Sequence, residues 1–291
     1  MNYTISNQRL SVTVSDFGAQ MMSLTLDGTE RLWQGDPAVW DERSPVLFPI
    51  VGRLKGSSYT YRGKEYSINC PHGFARKSLF SLEEQTVDSL TFRLTSNDET
   101  RKQYPFEFVL DVIYRICENR LSVTFTVSNR GDDEMYYSVG GHPGFLVPPH
   151  GDGEFTDWYL QFDEDEPLMQ AMLDGMFMSR RVEPCRFAQG NRIPLYHEMF
   201  DDDAFILTGL KNKSFRLCSD SSDHSVSVTC DDFRYCAFWQ AAGSGAKYLC
   251  VEPWNGLPSN ADDPEDLTIK RDMHRLAPNA SESCEMSFVL D

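Results

Sequence analysis

With 291 residues, of which 41% are hydrophobic and 12% aromatic, the chain is long enough and apolar enough to bury a sizeable core. Its formal net charge of −17 would repel phosphate backbones and anionic lipid headgroups, which argues against nucleic acid and membrane surfaces as partners. The same composition excludes a chain that is disordered throughout.

The N-terminal segment, residues 1–10, mixes polar with apolar residues and shows no signal-peptide hydrophobic region. No apolar stretch elsewhere approaches the roughly 20 residues that a membrane-spanning helix needs. We therefore expect a cytoplasmic protein whose eight cysteines are reduced thiols. The sequence is compatible with either a monomer or a dimer.

Alternation of apolar and polar residues predicts β-strands from one end of the chain to the other. The longest pattern is a hairpin, in which residues 106–116 alternate strictly and residues 121–127 resume the phase after a turn at Glu118-Asn119. The same period occurs, in chain order, at Leu10-Val12-Val14, Met22-Leu24-Leu26, Phe215-Leu217, Val226-Val228-Cys230 and Cys284-Met286-Phe288-Leu290.

Helices are expected to be scarce, because no window carries a 3.6-residue period over three turns. The 19 glycines and 15 prolines interrupt the chain at short intervals, which is typical of an all-β protein. Neither a linker of biased composition nor an internal repeat marks a domain boundary. We predict one domain over residues 1–291, a large antiparallel β-sandwich.

Several familiar sites are missing from the sequence: the G-x-S-x-G elbow, the G-x-G-x-x-G and Walker loops, the H-E-x-x-H zinc motif and the calcium loop. These absences exclude the corresponding hydrolase, nucleotide, zinc and calcium sites. The remaining candidates are polar residues in Gly- and Pro-rich turns at strand ends, where a rigid β scaffold often carries function.

The first candidate segment, residues 52–76, is rich in turns and basic residues. It contains Gly52-Arg53-Leu54-Lys55-Gly56, a hairpin-like stretch over residues 59–66, and Pro71-His72-Gly73-Phe74-Ala75-Arg76. A histidine between Pro and Gly is expected in an exposed loop rather than in a core. His72 is therefore either a site residue or a loop histidine without a role.

The second candidate segment, residues 136–145, is an apolar strand that breaks into three glycines and a proline around His142. Glycine lets a ligand approach the backbone closely, and proline fixes the direction of the turn. His142 is either a site residue or a structural histidine with satisfied hydrogen bonds.

The third candidate segment, residues 248–258, places Glu252 between an apolar strand and the pair Pro253-Trp254. A glutamate at the end of a buried strand must be paired, hydrogen-bonded or functional, because burying an isolated charge is costly. A salt-bridged structural glutamate is the alternative to a catalytic one.

Taken in order, these segments resemble the aldose 1-epimerase, or galactose mutarotase, family and particularly its LacX-like branch. Residues 52–56, residues 62–66 and His72-Gly73 are similar to the family's N-R-I-x-x-G, D-G-K-x-Y and L-H-G series. Gly141-His142-Pro143-Gly144-Phe145 resembles the family's N-H-x-x-F histidine, in the G-H-P-G-F form that is usual in the LacX-like branch. The run from Glu252 to Pro258 resembles the late E-T-x-x-x-P segment.

The resemblance implies a galactose mutarotase-like β-sandwich that needs no cofactor and interconverts the α and β anomers of a hexose, a small monosaccharide. It implies that Glu252 is the general base and His142 the general acid. Mutarotation needs this pair, because one group takes the proton of the anomeric hydroxyl while another protonates the ring oxygen.

The resemblance also implies a set of sugar-binding residues. Arg53 and His72 would donate hydrogen bonds to the sugar, and Arg76 is a further binding candidate. The family's sugar-binding aspartate lies in a D-H-N-F-V-L-like stretch that aligns without gaps at Asp202, and its neighbour Asp203 is kept as a second candidate. Phe74, Phe145 and Trp254 are candidates for an aromatic face, but such residues more often belong to a core, and Trp254 is the favoured exception because it lies next to the base.

Two other functions are compatible with the same resemblance. A hexose-6-phosphate 1-epimerase would need Arg53, Lys55 and Arg76 to converge on a phosphate. A non-catalytic carbohydrate-binding or sugar-sensing protein would keep the sandwich without turnover, but it would not need an acid and base pair.

Overall fold

The computed structural model describes residues 1–149, 153–163 and 167–291 of the chain. Within these ranges there are twenty-five strands and one short α-helix, α1 (Asp98–Gln103), whose first turn is capped by Asn97. The predicted all-β class is confirmed. None of the helices described has the length and apolar character needed to span a membrane.

The strands run, in chain order, as β1 (Asn2–Ser6), β2 (Leu10–Ser15), β3 (Met21–Leu26), β4 (Thr29–Glu30), β5 (Val46–Leu47), β6 (Ser58–Tyr61), β7 (Lys64–Ser67), β8 (Ser81–Gln85), β9 (Ser89–Thr95), β10 (Phe108–Cys117), β11 (Arg120–Asn129), β12 (Met135–Tyr137), β13 (Val139–Gly141), β14 (Gly144–Leu146), β15 (Trp158–Phe162), β16 (Met169–Asp174), β17 (Phe177–Pro184), β18 (Arg192–Pro194), β19 (Phe205–Thr208), β20 (Ser214–Ser219), β21 (Ser222–Thr229), β22 (Tyr235–Trp239), β23 (Tyr248–Asn255), β24 (His274–Leu276) and β25 (Ser281–Leu290). Single 3₁₀ turns lie at residues 55–57, 75–77, 155–157 and 197–200.

Two large antiparallel sheets form the sandwich. The nine-stranded sheet has the order β18-β15-β20-β21-β25-β11-β10-β9-β8. The eight-stranded sheet has the order β17-β16-β19-β22-β23-β13-β5, with β14 paired to β23. Smaller sheets are formed by β1 to β4, by β6 with β7, and by β12 with β24.

The predicted long hairpin is β10 with β11, which pair in register from Phe108 opposite Asn129 to Cys117 opposite Arg120. Alternate residues of both strands are buried, as the apolar period requires. The turn at Glu118 has a positive φ of 53°.

The main core lies between the facing sides of the two large sheets. Phe145 of β14 packs on Phe288 of β25 with ring centroids 5.1 Å apart, and Phe215 of β20 packs on Phe238 of β22 at 5.4 Å. Burying one such side chain contributes about 1.5–3 kcal/mol, so contacts of this kind hold the sheets face to face.

The opposite side of the eight-stranded sheet carries a second, smaller apolar cluster. Leu249 and Val251 of β23 belong to the main core, so Glu252 and Trp254 project from the other side of the same strand. The members of the second cluster are Leu47, Val51, Ala171, Met178, Ile206, Ala237, Trp254 and Leu257. This outer side is therefore partly apolar and holds one carboxylate.

Candidate active site

A cleft of about 280 Å³ opens on the outer side of the eight-stranded sheet. This volume lies just below the usual range of small-molecule sites, about 300–1,000 Å³. Most of the residues that the sequence singled out lie in its lining, although they come from distant segments: Arg53, His72, Arg76, His142, Asp203, Glu252 and Trp254.

Glu252 and Trp254 are contributed by β23, where alternation directs both side chains into the cleft. Glu252 is only 1% exposed, and its Oε2 has no hydrogen-bond partner among the described residues. The indole Nε1 of Trp254 is buried and has no aligned hydrogen-bond partner among the described residues, although it is close enough to Glu252 to favour the carboxylate form. Such atoms are available to a ligand, since buried polar groups otherwise find partners within the protein.

His142 follows β13 directly and lies beside Glu252. Its Nε2 is 3.2 Å from Glu252 Oε2, but the two atoms are not aligned for a hydrogen bond, and the ring Nδ1 also lacks a partner in the described chain. Gly140 lets β13 approach β23, because a Cβ there would lie 2.7 Å from the carbonyl oxygen of Pro253. The ring of Trp40 stacks on His142 with centroids 5.1 Å apart.

His72 is held by a tight loop, and it is partly buried rather than exposed as the sequence suggested. Its φ is 64°, and the following Gly73 has a φ of 78° with no room for a Cβ, which would lie 2.1 Å from Phe48 O. The backbone N–H of Gly52 donates to His72 Nδ1 at 3.1 Å. The neutral ring therefore carries its proton on Nε2, where it can donate.

His72, His142 and Glu252 form a compact trio whose candidate ligand atoms all lie within 4.8 Å of one another. Two imidazoles and a carboxylate are donor types that zinc accepts. They are equally the donor types of an acid and base pair with a hydrogen-bonding neighbour. The geometry alone is compatible with either use.

Burial dominates the proton affinities of this trio. It raises the pKa of Glu252 well above the ordinary value, and the nearby carboxylate of Asp203 adds to the effect. It lowers the pKa of His142 well below the ordinary value, and the neighbouring His72 and Arg76 lower it further. Burial, followed by the charge of Arg53, lowers the pKa of His72 to about 4.

The His142 and Glu252 pair consequently holds one proton over a wide pH range. In the free cleft, burial favours a neutral imidazole next to a protonated carboxyl group over an imidazolium next to a carboxylate. The two forms contain the same number of protons and differ only in which of the two groups, whose nearest atoms lie 3.2 Å apart, carries the proton.

Arg76 and Arg53 differ sharply in how they are held. The guanidinium of Arg76 is mostly buried and forms a two-point ion pair with the buried Glu42, with Nε donating to Oε1 at 3.0 Å. Arg53 is exposed, and its guanidinium has no hydrogen bond or ion pair with the described residues. Arg76 is therefore a fixed part of the cleft wall, while Arg53 is an exposed cation in the same lining.

Of the two aspartate candidates, only Asp203 lines the cleft. It has an unusual φ of 90°, and its Oδ1 accepts a hydrogen bond from the N–H of Ala204 at 2.8 Å. Asp202 is exposed and pairs with Arg186 at 3.1 Å outside the cleft. The alignment without gaps at Asp202 therefore does not match the geometry, which favours its neighbour.

Phe74 and Phe145 take the core positions that were favoured for them, and Lys55 does not line the cleft. Phe145 packs in the main core, and Phe74 packs on Phe48 with centroids 6.2 Å apart, so neither forms an aromatic face of the cleft. Lys55 donates to the carbonyl oxygens of Ala261 and Asp263 at 2.9 and 2.7 Å, so it does not converge with Arg53 and Arg76.

Trp40 and Trp239 line the cleft but were not predicted from the sequence. Trp239 ends a strand and precedes the polar loop after Gln240, which is the same signal that singled out Glu252. Trp40 lies in an irregular loop, and nothing in its neighbourhood indicates contact with His142. Their rings lie 5.6 Å apart.

Comparison with known proteins places these features in context. A family model described as aldose 1-epimerase matches residues 1–266. The plasmid-encoded protein LacX of Lactococcus lactis subsp. lactis is 29% identical over 286 residues, which cover 96% of this chain and 95% of LacX.

Two solved structures are similar over essentially the whole length. The galactose mutarotase related enzyme from Lactobacillus acidophilus has a TM-score of 0.93 and 35% identity, covering 100% of this chain and 97% of that protein. A galactose mutarotase-like protein from Lactobacillus casei ATCC 334 has a TM-score of 0.95 and 32% identity, covering 100% of both chains.

Proposed function

The chain belongs to the aldose 1-epimerase family, and we propose that it is a mutarotase that interconverts the α and β anomers of a hexose by acid and base catalysis. The observation that carries the proposal is the contact of 3.2 Å between His142 and Glu252 in the lining of a cleft of monosaccharide size. Both groups are buried, and both present unpartnered polar atoms.

Glu252, as the base, takes the proton of the anomeric hydroxyl while an N–H of His142 donates a proton to the ring oxygen. The bond between C1 and the ring oxygen breaks as the carbonyl forms. Rotation about the C1–C2 bond exposes the other face of the carbonyl, and the reverse proton transfers close the ring. The enzyme ends the cycle with the protons it held at the start.

The working form of the pair is the carboxylate with the imidazolium. A sugar favours it, because its hydroxyl groups donate hydrogen bonds to the carboxylate and its ring oxygen accepts one from the imidazolium. Sugar binding therefore shifts the proton of the pair from Glu252 to His142.

The other cleft residues supply the polar contacts that a hexose needs. His72 Nε2–H, Trp254 Nε1–H and the guanidinium of Arg76 are donors, and the carboxylate of Asp203 is an acceptor. Trp239 and Trp254 offer ring surface to the apolar side of the sugar.

Glu252→Gln tests the assignment, because glutamine keeps the size of the side chain but cannot take a full proton near neutral pH. In polarimetry on fresh α-glucose and α-galactose, kcat should fall by at least about 10²-fold while sugar affinity changes far less. His142→Asn should behave similarly, and the double variant should be less than additive.

The matched control is Glu265→Gln, which alters a partly buried glutamate outside the cleft and should leave the rate unchanged. A folded Glu252→Gln protein that mutarotates at the parent rate would make Glu252 a structural carboxylate. A parent protein that binds sugars without accelerating mutarotation would be a binding module instead.

Dialysis against EDTA belongs to the same test, because no step of this mechanism uses a metal. The rate should stay constant. If activity is lost and then restored by Zn²⁺, the trio of His72, His142 and Glu252 is a metal site.

A further inference from the structure

A buried carboxylate that the proposed mechanism does not use lies behind the wall of the cleft. Glu42 is only 6% exposed and is not part of the cleft lining. Its two carboxylate oxygens pair with the guanidinium of Arg76, which does line the cleft. Because a two-point pair fixes the plane of a guanidinium as well as compensating its charge, Glu42 can act on a ligand through Arg76.

Both partners of this ion pair are held by the backbone around them. Gln20 Oε1 accepts a hydrogen bond from the N–H of Arg43 at 2.8 Å, which anchors the segment that carries Glu42. Gly18 packs on the other partner, since a Cβ at Gly18 would lie 2.7 Å from the carbonyl oxygen of Arg76. The pair is therefore built into the fold, unlike an ion pair between two freely moving surface side chains.

Glu42 completes the charge balance of the site. The described lining contains two guanidinium groups, Arg53 and Arg76, and Asp203 contributes one carboxylate. The acid and base pair holds one proton and so carries no net charge, and His72 is neutral because burial lowers its pKa to about 4. Glu42 balances the second guanidinium from behind the wall. Without this carboxylate the site would carry one excess positive charge.

Two further charges near Arg76 are of opposite sign and lie in water. Lys77 Nζ is 3.1 Å from Glu42 Oε1, but the Lys77 side chain is 52% exposed, and Asp41 is exposed as well. Solvent screens such charges strongly. The charge of Glu42 is buried, so it acts on the cleft with much less screening.

We propose that Glu42 is a specificity-determining residue, which neutralises Arg76 and so makes the cleft select neutral sugars against sugar acids. A hexuronate differs from a hexose by a carboxylate in place of the C6 hydroxymethyl group. That carboxylate is attracted to Arg76 only when the charge of the guanidinium is uncompensated. Selection by turnover rests on the proposed mutarotase function, whereas selection in binding does not.

The first test is Glu42→Gln, because glutamine keeps the size of the side chain and a hydrogen-bonding oxygen but removes the charge. Polarimetry compares glucuronate with glucose and galacturonate with galactose, with the spontaneous rate subtracted. The ratio of kcat/KM for the acid to kcat/KM for its neutral counterpart should rise roughly tenfold, an advantage of about 1.4 kcal/mol. Salt at about 1 M, where the screening length is about 3 Å, should remove most of this rise.

Asp111→Asn is the matched control. Asp111 forms the same kind of two-point pair with Arg93, at 2.7 and 2.8 Å, but it belongs to β10 of the nine-stranded sheet and does not line the cleft. This variant changes the net charge of the protein by the same amount as Glu42→Gln. It should leave the ratio of kcat/KM unchanged.

Two further comparisons separate the charge of Glu42 from its part in folding. Glu42→Asp and Glu42→Asn have side chains of the same size, so the aspartate should keep the parent ratio and the asparagine should raise it, even if both variants are slower. Combining Glu42→Gln with Arg76→Gln removes both charges of the pair and should return the ratio to the parent value. A ratio that is the same in the parent, Glu42→Gln and Glu42→Asn would make Glu42 a structural carboxylate and overturn the proposal.

Calorimetric titration of glucose and glucuronate into the parent protein and Glu42→Gln distinguishes this proposal from the proposed function. Glucose turnover by the parent, with the same preference between the two sugars in Glu42→Gln, overturns the role of Glu42 and leaves the mutarotase standing. Glucuronate binding that Glu42→Gln tightens about tenfold, without turnover of any sugar, supports the role of Glu42 and overturns the mutarotase. Neither binding nor turnover of any sugar overturns both.

Discussion

At the scale of single residues, the charge state of the His142 and Glu252 pair gives the pH dependence. Burial lowers the pKa of His142 and raises that of Glu252, so the pair gains a second proton only at low pH and loses its single proton only at high pH. In the proposed mechanism the form with one proton is the active one, which predicts a broad plateau of activity.

An uncoupled glutamate and histidine would behave differently. Their active form would exist only between the ordinary pKa values of about 4.3 and about 6.5, so the rate would decline above about pH 6.5. We expect kcat/KM of this protein to show no decline as the pH rises through about 6.5, the ordinary pKa of histidine. Polarimetry with the spontaneous rate subtracted at each pH checks this, and a decline centred near the ordinary histidine pKa would contradict it.

The neighbouring aspartates provide a second prediction at this scale. Asp203→Asn should raise KM for a monosaccharide by about tenfold, because it weakens a charged hydrogen bond from a sugar hydroxyl. Asp202→Asn is the matched control one residue away and should leave monosaccharide kinetics unchanged, since Asp202 lies outside the cleft. Steady-state kinetics of both variants measure the two KM values. A raised KM in Asp202→Asn with an unchanged KM in Asp203→Asn would make Asp202 the sugar-binding aspartate, as the ungapped alignment suggests.

Individual site residues were predictable where a local signal existed. Glu252 is the single carboxylate in a buried apolar run, and His142 is framed by glycines and proline, so chemistry and position indicated both, although Glu252 lies within β23 and not at its end. Asp202 could not be separated from Asp203, because the distinction depends on a φ of 90° that no local pattern encodes. The ion pair between Arg76 and Glu42 was not predictable either, because the two residues lie 34 positions apart in the sequence and no local pattern links them.

At the scale of elements, the site depends on the loop that presents His72. Gly73 has a positive φ, and a Cβ there would collide with the Phe48 carbonyl, so Gly73→Ala should reduce the free energy of unfolding by at least about 3 kcal/mol. Gly63 is a matched control in the turn between β6 and β7, because its φ is 74° and no atom lies within 4 Å of a Cβ.

Gly63→Ala should cost only about 1 kcal/mol, the price of a left-handed conformation for alanine. Urea unfolding of the two variants gives the comparison. Equal destabilisation would show that the His72 loop moves away from Phe48 at little cost, in which case the loop does not hold His72 rigidly.

Elements were predictable in proportion to their length. The hairpin of β10 and β11 follows from alternation alone, since ten residues on each strand carry the period. The three-residue strands β13 and β14 flank His142, yet three residues show no period. Their pairing with β23 joins segments about a hundred residues apart, which local patterns do not reveal.

At the scale of the whole molecule, the net charge of −17 and the composition of the cleft distinguish a neutral substrate from a phosphorylated one. The three cations that a phosphate would need are not free to converge on it. Lys55 is bonded to backbone carbonyls, and Arg76 is paired with Glu42, so only Arg53 remains. The carboxylate of Asp203 in the same lining adds repulsion.

We therefore expect inorganic phosphate at about ten times the KM for hexose to leave the rate within about twofold, and glucose 6-phosphate to have a lower kcat/KM than glucose. Lys55→Gln should not change the ratio of kcat/KM between the two sugars, because the Lys55 ammonium group already binds the loop that contains Ala261 and Asp263.

Raising the ionic strength should also have little effect on the rate, since the electrostatic field of the protein does not attract a neutral ligand. Polarimetry and coupled assays at fixed ionic strength provide the measurement. Competitive inhibition by phosphate that disappears in Arg53→Gln would instead show that Arg53 recruits an anion, and the substrate would then be a phosphosugar.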